Sequence, residues 1–149
     1  MSMHKKGFDI VELVILLATL FLVFGAVVLE VNRHRRYSNE SAAIITLRSI
    51  GAAIEGYKVL EHSYRGASLK VLTEHIPPLI DFETATGLKN GYAYILKVEG
   101  NGHFYYVDAL PLHYRVTGER SFRMDQSGKI RALDKKGKPL LQKEGKVVR

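Results

Sequence analysis

Apolar residues fall in three regimes along this 149-residue chain. From Ile10 to Leu29 they form a nearly unbroken run with one charge, Glu12. At about 1.5 Å per residue, such a run as a helix covers roughly the 30 Å hydrocarbon core of a bilayer. From Ser38 to His62 the spacing is that of an amphipathic helix: Ile44, Leu47, Ile50 or Gly51, Ile54 and Tyr57 lie on one stripe, with Glu40, Arg48, Glu55 and Lys58 off it. Nothing between the two runs stops a helix, so they read as one long helix from Phe8 to about His62. Beyond Gly91 the pattern changes to β-branched and aromatic residues between turns. Tyr92–Val98 and Phe104–Ala109 flank Glu99-Gly100-Asn101-Gly102, and Arg120–Met124 and Lys129–Leu133 flank Asp125-Gln126-Ser127-Gly128. Two hairpins make about four antiparallel strands, and the expected class is α+β, with the long helix packed on this small sheet.

The segment 63–90 reads as the connection between helix and sheet. It holds one short helical turn at Leu69–Leu72, opened by Ser68, and Pro77-Pro78 forbids its continuation. Gly51 and Gly56 sit inside the predicted helix at a cost of about 1 kcal/mol each relative to Ala, which a closely approaching sheet explains. Gly25 reads as a point in the apolar half where the helix can bend.

Arg33, Arg35, Arg36 and Tyr37 follow the apolar run and have the composition of an interfacial anchor, arginines with an aromatic ring at the end of a membrane helix. Lys5 and Lys6 flank the other end, so charge alone leaves the orientation nearly balanced. A carboxylate inside the run costs on the order of 3 kcal/mol at the bilayer centre and less near its edge, which marks Glu12 as a functional residue. The run is too long for a secretory signal peptide and carries Asp9 and Glu12 at its start. Without cysteine the chain cannot carry a lipoprotein anchor or a disulfide.

Composition allows one modest core after the apolar run. The formal net charge of +7 favours anionic partners in general without defining a site for nucleic acid. The six histidines show no metal-ligand spacing, and His103 and His113 meet only if the fold brings them together. Gly100-Asn101-Gly102 precedes no helix and so is no phosphate cradle, and Ser121 and Ser127 lack a recognisable acid and histidine. No enzyme, metal or cofactor is expected. Tyr92, Tyr94, Tyr105 and Tyr106 suit a stacking platform or simply strand propensity, and the basic stretch 134–149 reads as a solvated tail.

Lys5-Lys6-Gly7, then Phe8, then Glu12 as the fifth residue after the glycine and a long apolar helix, resembles the leader and membrane helix of type IV pilins and type II secretion pseudopilins. The resemblance implies a leader at 1–7 cleaved after Gly7 by a prepilin peptidase, N-methylation of Phe8, a transmembrane and filament-core helix at 8–32, and an exported domain at 33–149. It implies as partners the peptidase, other pilin or pseudopilin subunits and an inner-membrane assembly platform. Glu12 then serves filament assembly, and the chain is single-pass in a bacterial inner membrane with its C-terminal domain periplasmic or extracellular. More loosely, Gly91 to Pro111, Thr117 to Phe122, Asp125, Gly128 and Ile130-Arg131 resemble the exported domain of prepilin-like proteins. The chain departs from disulfide-stapled pilins in lacking cysteine. It departs from calcium-binding major pseudopilins because Asp125 and Asp134 stand among Lys129, Arg131, Lys135 and Lys136. The alternative function is a membrane-anchored binding module that never polymerises and uses its basic tail or aromatic sheet.

Overall fold

The computed structural model of the chain describes residues 9–133 and 146–148. It divides into two compact units, Met1–His34 and Arg35–Arg149. Helix α1 runs Ile10–Glu61, close to the expected bounds, and His62 at φ 57° ends it in the left-handed conformation of a helix stop. In the first unit α1 is apolar and long enough to cross a membrane, and every side chain from Ile10 to Val27 is exposed.

In the second unit, residues 35–61 of α1 pack on one face of an antiparallel sheet. Ala43, Leu47, Ile50, Ile54 and Tyr57 are buried, at alternating spacings of four and three that keep one stripe inward, and Ala53 is buried beside them. The predicted stripe is borne out at Leu47, Ile50, Ile54 and Tyr57, with two corrections: Ile44 is only half-buried, Ala43 taking the inward place, and Glu40 belongs to the stripe. Glu40, expected off it, sits three residues before Ala43 on the same stripe and is only 4 % exposed.

Two short helices, α2 (Leu69–Glu74) and α3 (Phe82–Ala85), lie in the connection and are opened by side-chain caps. Ser68 accepts from the Val71 N–H at 3.1 Å and Asp81 from the Thr84 N–H at 2.8 Å. The sheet has six strands in sequence order: β1 Leu88–Lys89, β2 Tyr92–Glu99, β3 Phe104–Pro111, β4 Phe122–Asp125, β5 Ile130–Ala132 and β6 Lys146–Val148. β2 to β5 are the four expected strands, and β1 and β6 add short edges. β6 lies in the stretch expected as a basic tail, where Lys146–Val148 pairs with β5; 134–145 and 149 lie outside the described residues.

Strand alternation sorts the two faces. Tyr92 and Tyr94 of β2, Tyr105, Val107 and Ala109 of β3, Phe122 and Met124 of β4 and Ile130 of β5 are buried in the core. On the other face Asp108 and Arg123, directly paired across β3 and β4, form a two-pronged ion pair at 2.6 and 2.8 Å, and Arg123 lies 4.2 Å from the Tyr106 ring centre. The first hairpin turns where predicted, with Asn101 at φ 56° between two positive-φ glycines. In the second, the Gly128 N–H donates to the Asp125 carbonyl at 2.9 Å, as its sequence predicts.

The two helix glycines have different causes. A Cβ on Gly51 would collide with the Met124 side chain of β4, the close approach of the sheet expected from sequence, whereas one on Gly56 meets only Leu79 at an ordinary 3.9 Å. Gly118, in the loop before β4, is tighter: a Cβ there would run into the Tyr92 hydroxyl and lie 2.7 Å from its ring Cζ. Tyr92 is fully buried and cannot retreat. Gly56→Ala should therefore stabilise the domain by up to about 1 kcal/mol through helix propensity. Gly118→Ala should destabilise it by about 1–3 kcal/mol through overpacking, a difference in sign that denaturant unfolding of the solubilised chain reads directly.

Candidate functional site

The residues singled out from sequence fall into two groups. Gly7 and Phe8 lie outside the described residues. Glu12 stands in the first turn of α1, where the Leu13 N–H donates to the Asp9 carbonyl at 3.1 Å. Asp9 thus occupies the cap position and Glu12 the third helical position, the spacing of a capping box and a favourable place for carboxylates at the positive end of a helix. This position at the positive end of the helix is a local ground for a carboxylate at 12, beside any assembly role. Further along, Thr19 returns its hydroxyl to the Ile15 and Leu16 carbonyls at 3.0 and 2.9 Å, so a polar residue sits in an apolar helix with its donor satisfied.

The arginine cluster divides. Arg33 lies 4.0 Å from Glu30 in an exposed pair. In the second unit Arg35 and Tyr37 are exposed, Tyr37 at 60 %. Arg36 is half-buried and forms an ion pair with Glu119. Next to it Asn39 donates to the Thr117 carbonyl at 2.9 Å.

Glu40 completes this clasp. One oxygen accepts from the Glu119 and Arg120 backbone N–H groups at 2.9 and 3.3 Å, and the other from the Arg120 guanidinium at 2.7 and 2.6 Å. Tyr92 donates to the Arg120 carbonyl at 2.8 Å from the core side. Burial pushes the Tyr92 hydroxyl far above the ordinary phenol range, so at neutral pH it serves as a donor. Three positions within about one turn of α1, Arg36, Asn39 and Glu40, thereby hold the segment between β3 and β4 on the helix. The readable sign of this was a carboxylate in phase with the apolar stripe.

The other polar features are smaller. A cleft of about 280 Å³ is lined by Arg48, Glu55, Tyr105, Gln126 and Ser127 over Gly51 and Met124, and one of about 230 Å³ by Thr46, Ser49, Asp81, Thr84 and Lys89. The Thr84 backbone N–H, the Thr84 hydroxyl and then Lys89 lower the Asp81 carboxyl from 3.8 to about 2. Three of the four hairpin tyrosines, Tyr92, Tyr94 and Tyr105, are buried and present no stacking face; Tyr106 alone lies on the outer side. His103 and His113 lie beyond opposite ends of β3 and do not meet.

No protein-family model, no curated protein and no solved structure matches this chain.

Two outcomes follow from the clasp and the cap. Glu40→Ala leaves two backbone donors and a guanidinium without their acceptor and should cost about 3 kcal/mol. Arg120→Ala should cost about half that, because Arg120 is nearly half exposed while Glu40 keeps both backbone donors. Parallel unfolding curves of the two variants check the order. Because the folded pKa of Asp81 lies below its unfolded value, its contribution is complete above about pH 4 and disappears as the pH falls towards 2. The stability gap between wild type and Asp81→Asn, small at so exposed a site, should narrow across that window.

Proposed function

We propose that the chain is a pilin-like structural subunit, processed after Gly7 by a prepilin peptidase, methylated at Phe8 and assembled through its N-terminal helix into a type IV pilus or a type II secretion pseudopilus. The observation that carries this reading is the combination in α1 of a wholly exposed apolar run, one carboxylate in its first turn, and a continuation packed on an antiparallel sheet. Apolar surface of that extent, Ile10 to Val27 without one buried side chain, requires a lipid or protein partner. A bilayer supplies the partner for a single-pass anchor, and sister helices supply it in a filament.

In this reading the subunit waits in the bacterial inner membrane with its sheet domain on the periplasmic side and passes through an assembly platform into the filament. Cleavage creates a cationic amine at Phe8, and within a packed apolar core that amine and the Glu12 carboxylate are each costly to bury alone. Pairing of Glu12 of an incoming subunit with the Phe8 amine of the one already placed offsets both costs and sets the register. Asp9 is the nearest competing carboxylate. The alternative, a non-polymerising binding module, loses the aromatic sheet as its binding surface, because Tyr92, Tyr94 and Tyr105 are in the core, and is left with the basic tail.

Processing and assembly are tested together at matched expression. Intact mass should show wild type beginning at a methylated Phe8, and Gly7→Val should retain the leader; a wild-type chain still beginning at Met1 or Ser2 in its host sinks the assignment. Glu12→Ala and Glu12→Gln separate the two roles of Glu12. Glutamine suits the third position of a capping box as well as glutamate does, so a purely local role leaves Glu12→Gln assembling normally. Charge pairing predicts that both variants insert and are cleaved, and that both lose most of the sheared-filament yield.

A further inference from the structure

Between β3 and β4 the chain closes a loop whose backbone is held by several hydrogen bonds and whose apolar side chains stand in solvent. The Leu112 N–H donates to the Gly91 carbonyl at 2.9 Å, the Val116 and Thr117 N–H groups to the His113 carbonyl at 3.0 and 2.9 Å, and the Arg115 N–H to the Gly118 carbonyl at 2.9 Å. The Thr117 hydroxyl accepts from the His113 N–H at 3.0 Å. Arg115 is held at φ 64°, and a Cβ on Gly91 would lie 2.8 Å from Thr117 Cβ. These bonds and contacts leave the loop little freedom to fold its apolar residues inward. All five residues from Leu112 to Val116 are exposed, and three of them are apolar: Leu112 at 46 %, Tyr114 at 38 % and Val116 at 68 %. The other two are His113 and Arg115, and the Arg115 guanidinium lies 5.6 Å from the Tyr114 ring centre.

Aliphatic, aromatic and cationic side chains held together are the composition of a membrane interface, where the apolar groups enter the headgroup layer and the cation meets phosphate. The clasp puts this loop at a telling place in the chain. Thr117 and Glu119 are bonded to Asn39 and Arg36, and Arg36 follows Leu29, the end of the apolar run, by seven residues. In any backbone conformation seven residues span at most about 25 Å. The loop is therefore tethered close to where the chain leaves a bilayer. Residues 35–40 and 112–120 together carry four arginines against two glutamates, a balance that suits an anionic lipid surface.

We propose that the loop 112–116 is a membrane-surface contact: Leu112, Tyr114 and Val116 enter the headgroup layer of an anionic bilayer and Arg115 pairs with lipid phosphate. This rests on the reading of the apolar run as a membrane anchor. The contact is a second, weaker hold of the subunit on the membrane, and it has to break when the subunit leaves the bilayer.

The chain has no cysteine, so single labels at Val23→Cys, Val116→Cys and Ser127→Cys can be placed in the full-length protein without background. Each variant, carrying an environment-sensitive fluorophore, is reconstituted into phosphatidylethanolamine–phosphatidylglycerol vesicles with spin-labelled lipids. The label at 23 should be quenched by acyl-chain spin labels, the label at 116 by headgroup spin labels, and the label at 127, in the turn between β4 and β5, by neither. Arg115→Gln in the Val116→Cys background should weaken the contact about fivefold, one cation's share at an anionic surface, as should replacing the anionic lipid by phosphatidylcholine. A quenched label at 23 with a label at 116 that behaves like the one at 127 overturns the lipid contact and leaves the anchor standing. An unquenched label at 23 overturns the anchor and the contact with it. A label at 116 that is shielded from aqueous quencher, untouched by lipid spin labels and sensitive to the protein-to-lipid ratio means that a second copy covers the loop, which also overturns the proposal.

Discussion

The second unit depends on the burial of one carboxylate. Removing an ionised carboxyl from water is expensive unless its oxygens are fully used, and Glu40, 4 % exposed, uses both, on two backbone N–H groups and a guanidinium. Those donors belong to one short stretch, Glu119 and Arg120, so the helix and the entry to β4 are fixed to each other by a bond set that admits little slippage. The consequences spread outward. With Arg120 in place its carbonyl receives the Tyr92 hydroxyl, and with Tyr92 in place a side chain at Gly118 has no room. Arg36 and Asn39, one helical turn or less from Glu40, add their bonds to the same stretch, and the loop 112–116 inherits its position from them.

What the sequence made legible was what repeats. The apolar stripe of α1, the two hairpins and their turns follow from periodicity and from glycines where the backbone needs positive φ, so β2 to β5 lie close to their expected positions. The ends of the sheet were not legible. β1 is two residues long, and β6 is three residues in a basic stretch whose composition resembles a tail, so neither carries a pattern of its own. Glycines were ambiguous for a related reason. Gly51 and Gly56 look alike in sequence, but only Gly51 lies opposite a side chain of the sheet, and that depends on register rather than composition.

The candidate site was legible in proportion to how much of it is local. Glu12 announces itself because a charge in an apolar run has no local excuse, yet its place three residues after a capping aspartate supplies part of one. Glu40 does the reverse. It looks like an ordinary charge on the wet side of a helix until its phase with Ala43 and Leu47 is noticed, and its partners are about eighty residues away. Arg36 belongs with it: the interfacial composition of Arg33 to Tyr37 was visible, but the ion pair that draws Arg36 towards Glu119 was not.

Two glutamates on one helix thus meet the same cost by different routes, and the difference bears on function. Glu40 finds its donors inside its own domain, so its burial is complete in a single subunit and contributes to a fixed fold. Among the described residues Glu12 has only the first turn of its helix to lean on, in a segment whose side chains from Ile10 to Val27 are all exposed. At the helix start, a headgroup layer or water can solvate such a carboxylate; deeper in an apolar environment it needs a cation supplied from elsewhere. A carboxylate with no cation beside it among the described residues, on an apolar surface that is uncovered from Ile10 to Val27, is the physical ground for the proposal that the function lies in what this helix joins, while the clasped sheet domain is what it carries.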